Sequence, residues 1–162
     1  MTDPVVIQSS VEIRRAPEEV FAFASTPANW PVWHPTALSV EGDVAGPLKP
    51  GDRILEQDRF LFLRGQIRWQ AHAVDAPRSW TIEGVVEGIP MFSGTTTTVS
   101  YTVTPVAEGA RIDRTMHYRP STAVGRALDW LIFRRHNRHQ SQHALDAIKR
   151  LLDVPPLGSG PA

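Results

Sequence analysis

The side chains of this chain that can do chemistry are a few charged groups set among strand-forming segments. Arg114 lies between Ile112 and Met116 in a stretch of strict polar–apolar alternation, which predicts that its side chain faces the protein interior. A buried guanidinium needs an anionic partner, supplied either by the protein or by a ligand. Glu56 and Asp58, two residues apart on an earlier predicted strand, can supply that partner if their shared face points inward.

Acid–base chemistry has two candidate residues. His34 is one, because an imidazole titrates near neutral pH, and Asp58 is the other. Leu55 and Gln57, which flank the acidic positions, leave the direction of the acidic face open. The alternatives are therefore a structural ion pair between the carboxylates and Arg114, or a titratable group that is free to move a proton.

Tryptophans are the candidates for contact with an apolar or planar ligand. Trp30 and Trp33 are spaced to put both rings on one side of a helical turn, and Trp69 takes an inward position on a strand. Indoles at such positions either pack in a solid core or line a cavity and stack on a ligand. The predicted ligand contacts are Trp30, Trp33, Trp69, Tyr101, Arg114, Met116, Leu131 and Arg135.

Metal-dependent and nucleophilic chemistry have little support in the sequence. His136, His139 and His143 share a helical face, but no carboxylate joins them at a metal-ligand spacing. The chain has no cysteine, which excludes thiolate catalysis and disulfides. It also lacks a phosphate-binding glycine loop and a nucleophile motif. We therefore expect no metal and no other cofactor.

The overall charge points to a small-molecule role. Lysine plus arginine and aspartate plus glutamate number 17 each, so there is no global basic field of the kind that nucleic-acid binding requires. No signal-like leader and no apolar stretch of about 20 residues is visible. We expect a cytoplasmic protein, monomer or homodimer, without nucleic acid and without stable membrane insertion.

The element that must position these groups is a long C-terminal helix, predicted from Ser121, as its cap, to Asp153. Apolar residues recur at helical spacing near both ends, whereas the middle of the helix is polar. A helix of this kind suits a hollow better than a solid core. The predicted stripe comprises Val124, Ala127, Leu128, Leu131, Ile132, Leu145, Ile148 and Leu152, with Arg135, Arg138 and Gln142 continuing it through the polar middle.

That polar middle is also a basic run, from Arg134 to His143. One interpretation is a solvated helix face from which Arg135 and Arg138 reach toward the cavity. The alternative is a surface for a macromolecular partner, whose binding would then depend strongly on salt. The neutral overall charge favours the first interpretation.

Strand patterns fill most of the remaining chain, with turn residues between them. Pro17 and Pro27 each open a short helix after the first strand. Consecutive strands joined by short turns predict an antiparallel sheet, curved around the C-terminal helix. The predicted strands are Val5–Arg14, Leu38–Glu41, Arg53–Asp58, Gly65–Val74, Trp80–Val86, Thr95–Thr104 and Ala110–Tyr118.

The segment VEIRRAPEEVFAFASTPANWPVWHP, with this order of elements, resembles the START-like superfamily, in its polyketide cyclase/dehydrase and lipid-transport branch. The residues that carry the resemblance are Ala16, Pro17, Val20, Phe21, Trp30 and Trp33. It implies an α+β helix-grip fold of about seven strands and a cavity between sheet and helix. We expect one such domain over residues 1–153 and a disordered tail over 154–162.

The sequence leaves two functions open. The first is a carrier or binding protein that holds a hydrophobic or aromatic small molecule, with Arg114 or Arg135 at its polar end. The second is a cyclase/dehydratase-like enzyme in which His34 or Asp58 moves a proton within the same cavity. Met91 and Phe92 are predicted to form a mobile lip over the entrance.

Overall fold

The computed structural model of the chain describes residues 3–154, which form an antiparallel sheet with a long helix packed across it. The predicted α+β helix-grip fold is confirmed. A single domain over residues 1–153 and a disordered tail over 154–162 stay predictions, and the tail beyond Val154 lies outside the described residues. None of the described helices has the length and apolarity that crossing a bilayer requires.

The sheet has seven strands in the order β1-β7-β6-β5-β4-β3-β2, so the first strand pairs with the last. Every neighbouring pair is antiparallel, as short turns between consecutive strands require. The strands are β1 Val5–Ile13, β2 Ala37–Gly42, β3 Arg53–Phe60, β4 Leu63–Asp75, β5 Ser79–Glu87, β6 Thr96–Val106 and β7 Gly109–Arg119.

The helices lie where the sequence predicted them, with different caps. Two short helices follow β1: α1 spans Pro17–Ala24, and α2 spans Trp30–Trp33 after a single 3-10 turn. The C-terminal helix consists of α3 Ala123–Leu128, a π-helical turn Asp129–Phe133 and α4 Arg134–Leu152. Its cap is Thr122, whose hydroxyl accepts a hydrogen bond from the Gly125 amide at 2.9 Å. The predicted cap, Ser121, instead donates to the Ser93 carbonyl.

A solid core fills one end of the molecule. Leu145 and Ile148 of α4 are fully buried, and each contributes about 1.5–3 kcal/mol of hydrophobic stabilisation. Trp80 lies at the centre of this core, with Phe21 edge-on to its ring and Tyr101 stacked on it at 4.4 Å between ring centroids. Tyr101 also lines the cavity, so this stack joins the packed core to the cavity wall.

The apolar stripe predicted for the first half of the C-terminal helix is wrong. Val124, Leu131 and Ile132 are exposed, and the inward positions recur every four residues. In an α-helix, positions four residues apart are rotated by about 40° relative to each other around the helix axis. The wider π turn offsets this rotation. The inward positions are Gly125, Asp129, Phe133, Asn137 and Ser141.

Asp129 fixes the π turn against the sheet. Its side chain is 1% exposed, accepts a hydrogen bond from the Tyr118 hydroxyl and forms an ion pair with Arg134 at 3.2 Å. A buried carboxylate is costly without such partners. The contact between Asp129 and Tyr118 therefore holds the helix in the rotation that decides which of its residues face the cavity.

We expect Tyr118→Phe to lower the free energy of unfolding by about 1–3 kcal/mol, because Asp129 would keep Arg134 alone as a partner. Urea denaturation of the single variants and of Tyr118→Phe/Asp129→Asn measures the coupling between the two side chains. Additive effects of the two substitutions would contradict the assignment.

Candidate functional site

A cavity lies between the sheet, α2 and the polar middle of the C-terminal helix. It consists of two adjoining pockets of about 70 and 50 Å³, which we call its polar end and its apolar end, and each is several times the roughly 15 Å³ that a water-sized group needs. Phe60, Ile67, Met116 and Asn137 line both ends. The polar end is also lined by Trp30, Trp33, His34, Thr36, Glu56, Asp58, Trp69, Ile82, Val99, Tyr101, Arg114, Gln140 and Ser141.

Arg114 is the charged centre of the polar end. The alternation of β7 turns it inward, as predicted, and it is 5% exposed. Its Nε donates to the Tyr101 hydroxyl at 3.0 Å and one terminal nitrogen donates to Ser141 Oγ at 2.6 Å. The remaining contacts of its terminal nitrogens are with the Met116 sulfur at 3.9 and 4.0 Å, a weak acceptor. Among residues 3–154 no carboxylate lies within ion-pair distance of this guanidinium.

Two carboxyl groups share the polar end with Arg114. Glu56 and Asp58 are both buried on the inward face of β3, which resolves the orientation that the sequence left open. Glu56 accepts a hydrogen bond from Trp69 Nε1 at 2.5 Å, and Asp58 accepts one from the Arg59 amide at 2.9 Å.

Burial keeps these acids protonated to unusually high pH. Desolvation, followed by repulsion from Asp58, raises the pKa of Glu56 to about 8. Desolvation also raises the pKa of Asp58 to about 6, against hydrogen bonds from Thr36 and Arg59 that lower it. At neutral pH the site therefore holds a carboxylic acid, a carboxylate and a guanidinium.

His34 is poorly suited to the acid–base role predicted for it. The imidazole lines the cavity and is hydrogen-bonded through Nδ1 to the Thr36 hydroxyl at 3.0 Å. Desolvation, together with the positive charge of Arg114, lowers its pKa to about 3. It is neutral at physiological pH, so Asp58 and Glu56 are the better candidates for proton transfer.

The three predicted tryptophans all line the polar end. Trp30 Nε1 donates to the Ala24 carbonyl, whereas Trp33 Nε1 is buried without a partner among the described residues. The Trp69 ring lies against Gly84 of the paired strand, where a Cβ would stand 2.6 Å from a ring carbon. Glycine at position 84 therefore sets the position of the Trp69 ring. The indole N–H of Trp69 in turn positions the Glu56 carboxyl group.

Two packed aromatic rings form part of the wall of the apolar end. Phe92 packs against Phe133 with 4.7 Å between ring centroids. The predicted lip containing Met91 and Phe92 is tied to the start of the C-terminal helix, because the Thr122 hydroxyl donates to the Met91 carbonyl at 2.8 Å. Its mobility stays a prediction.

Two predicted ligand contacts lie outside the cavity. Leu131 and Arg135 are on the outer face of the C-terminal helix, and both line a shallow surface groove. Arg138 is exposed as well, and Gln142 bonds to β1 and Asp146 instead of reaching the cavity. The prediction was wrong because it continued the buried stripe from Leu145 to Gln142, whereas the residue that faces inward is its neighbour Ser141.

The helix residues that do line the cavity were missed. Asn137, Gln140 and Ser141 lie within the same polar run, adjacent to the positions that the sequence analysis chose. Gln140 Oε1 is buried without a partner among the described residues, so it leaves an acceptor in the cavity wall. The polar middle of the helix correctly indicated a cavity, but the sequence did not show which of its residues face that cavity.

The three histidines of the C-terminal helix lie at or near its surface. Within residues 3–154 no group of three His, Cys, Asp or Glu side chains could hold a metal ion. His139 and His143 pack ring to ring at 4.1 Å between centroids, and His136 lies at the surface groove.

We expect the pH dependence of stability to report the buried acid Glu56. The folded protein holds this proton more tightly than the unfolded chain, so the free energy of unfolding falls as pH rises from about 4.5 to about 8. The fall is on the order of a few kcal/mol, at about 1.4 kcal/mol per unit of pKa. The Asp58 carboxyl acts in the same direction, and neutral His34 in the opposite direction below pH 6.5.

Glu56→Gln isolates the Glu56 contribution, because the amide does not titrate. Denaturation at several pH values should show a smaller loss of stability between pH 5 and 8, because this range lies between the ordinary pKa of the Glu56 carboxyl and the pKa of about 8 that it has in the folded protein. Parallel pH curves for the variant and the wild type would show that Glu56 ionises normally.

Comparisons with known proteins agree with this architecture. A model of the family described as polyketide cyclase / dehydrase and lipid transport matches residues 4–153. A crystal structure from Thermus thermophilus superposes with a TM-score of 0.71 at 11% identity, covering 91% of this chain and 97% of that one. A Chromobacterium violaceum protein gives 0.69 at 12% identity, covering 94% and 100%.

A third solved structure, the Aha1 dimer from Colwellia psychrerythraea, gives a TM-score of 0.62 at 16% identity, covering 96% of this chain and 99% of that one. At these identities the solved structures share the fold alone. No curated protein matches the chain at a significant level. Because the family model spans almost all of the described residues, the chain belongs to the polyketide cyclase/dehydrase and lipid-transport family.

Proposed function

We propose that the protein binds an amphipathic small molecule, with a hydrogen-bond-accepting or anionic group at Arg114 and an apolar or aromatic part toward Phe92 and Phe133. The observation that carries the proposal is the free edge of the Arg114 guanidinium in a buried cavity. A buried cation with unused N–H donors can bind an anionic ligand group. Hydrogen bonds between charged groups are stronger than those between neutral groups.

The other residues of the cavity support the same orientation of the ligand, with its polar group at one end and its apolar part at the other. Trp33 Nε1 and Gln140 Oε1 are unpartnered polar atoms at the polar end, and they can direct a second polar group. The other end is lined by aromatic and aliphatic side chains. Small-molecule sites typically combine an apolar wall with a few placed polar groups.

A pair of fluorescent probes tests the proposed role of Arg114. Anilinonaphthalene sulfonate carries an anionic group on an aromatic body, and N-phenylnaphthylamine has the same body without the charge. We expect the wild type to prefer the sulfonate, and Arg114→Met to weaken sulfonate binding tenfold or more while leaving the neutral probe nearly unchanged.

Arg111→Met is the matched control, because Arg111 lies on the same strand but is exposed and pairs with Asp113 on the surface.

Native mass spectrometry of protein purified without detergent should show a retained small molecule that the Arg114 variant loses. Equal effects of the Arg114 and Arg111 substitutions, or no probe binding at all, would contradict the proposal.

A second function is supported by the pair Glu56 and Asp58. Within residues 3–154 neither acid lies within ion-pair distance of Arg114, and the environments of the two acids give them different pKa values. Groups arranged in this way can transfer a proton, with Asp58 as base and Glu56 as acid. Asp58 would take a proton from a carbon next to a carbonyl group, and Arg114 would stabilise the negative charge left on the oxygen.

Exchange of α-hydrogens for solvent deuterium in an aromatic 1,3-diketone, followed by NMR, tests this activity. The rate should rise as Asp58 ionises near pH 6 and fall as Glu56 ionises near pH 8. Asp58→Asn should reduce it by about a hundredfold or more. The exposed Asp113→Asn is the control, and exchange no faster than in buffer would leave binding as the only proposed function.

A further inference from the structure

The outer face of the C-terminal helix and the tip of the β3–β4 hairpin form a surface that the binding function does not use. We call it the arginine-rimmed surface, and it comprises Leu61, Phe62, Arg126, Trp130, Leu131, Ile132, Arg135 and Arg138. Its apolar side chains are well exposed: Phe62 86%, Trp130 72%, Leu131 64% and Ile132 49%. Exposed apolar groups gathered in one place mark an interaction site, whereas isolated ones do not.

The π turn creates the helical half of this surface. Asp129 and Phe133 both face inward, so the three apolar residues between them are exposed on the outer side. Leu131 and Ile132 line one groove there, and Trp130 lines an adjoining groove that shares Arg135 with it. Leu61, Leu131 and Ile132 line one shallow groove with Arg135, so the hairpin tip and the helix are contiguous.

The hairpin tip has an unusual composition for a turn. Phe60 pairs with Leu63, which leaves Leu61 and Phe62 as the two turn residues, and Leu61 has a φ of +58°. Positions of this kind favour glycine or asparagine. Two large apolar residues at an exposed tip, flanked by Arg59 and Arg64, are not explained by the folding of the hairpin.

The charges of the surface have one sign. Arg126, Arg135 and Arg138 form no ion pair within residues 3–154. Asp129, the acidic residue of the segment from 121 to 145, is buried beneath the surface and pairs with Arg134. The hairpin from Arg59 to Arg64 has no acidic residue. The complementary partner is therefore anionic and able to accept protruding apolar side chains.

We propose that the arginine-rimmed surface docks reversibly on an anionic lipid membrane. Its apolar tips would enter the headgroup boundary while the arginines contact lipid phosphates, as in proteins that lie on a membrane without crossing it. Tryptophan is suited to that boundary because it is apolar with a polar N–H. The exposed tips project outward, which fits a deformable lipid layer better than a preformed protein groove.

The surface also adjoins the cavity. Phe60 and Asn137 line the cavity, and their chain neighbours Leu61 and His136 line the groove on the outer side. A membrane docked there would cover the groove between hairpin and helix. An amphipathic molecule could then pass between the lipid layer and the cavity without crossing bulk water.

Flotation with vesicles of phosphatidylcholine, with and without phosphatidylglycerol, tests the docking. We expect binding to the anionic vesicles alone, weakened when salt rises from about 0.1 M to about 1 M and the screening length falls from about 10 to about 3 Å. Arg135→Gln and Arg138→Gln should each weaken it about fivefold. Phe62→Ser/Leu131→Ser should weaken it tenfold or more.

Leu151→Ser and Arg150→Gln are the matched controls, since both residues are exposed on the same helix beyond this surface. All variants should bind the soluble probes as the wild type does, which keeps this test separate from that of the cavity. No binding to anionic vesicles, or equal losses in the control variants, overturns the proposal. Concentration-dependent self-association without lipid, abolished by Phe62→Ser/Leu131→Ser, would overturn it by making the surface a dimer interface.

Discussion

The burial of the Arg114 guanidinium without a carboxylate partner is the constraint on which the rest of the site depends. The guanidinium is held in place by neutral oxygens from Tyr101 and Ser141, and it acts on Asp58 only through space, lowering the pKa of that carboxyl against the larger effect of burial. A charge buried in this way is costly, and water or a ligand group must complete its donors. The hollow between sheet and helix provides the space in which that completion can occur.

Several features that look unrelated follow from this arrangement. The same positive charge helps keep His34 neutral, while Glu56 retains its proton through burial and the neighbouring carboxylate. The stack of Tyr101 on Trp80 ties the guanidinium to the solid core, so the charged centre lies on a rigid base. Both proposed functions, binding and proton transfer, would therefore draw on one preorganised cluster.

The sequence predicted the fold well because alternation and turn chemistry act locally. The seven strands, the two short helices and the long helix all lie near their predicted ranges. The inward position of Arg114 followed from its apolar neighbours on the same strand face. For Glu56 and Asp58, strand parity alone did not decide the face, and it was settled by pairing of β3 with β2 and β4.

The helix was harder to predict because its phase depends on a single π turn. Nothing in the sequence marks an extra residue per turn at Asp129–Phe133, and the buried Asp129–Tyr118 hydrogen bond that fixes it is a tertiary contact. Leu131 and Ile132 were therefore assigned to the buried apolar stripe, although they lie on the surface. The same misreading hid both Ser141 at the site and the arginine-rimmed surface outside it.

The most direct test of the central claim is to observe the Arg114 side chain while a ligand binds. Nitrogen-15 NMR of the arginine Nε and Nη groups, assigned with Arg114→Met, can be followed during titration with the aromatic sulfonate and with its uncharged analogue. The structure predicts that the Arg114 signals shift and slow their exchange with the sulfonate alone. Unchanged Arg114 signals at saturation, with shifts confined to other side chains, would contradict the account.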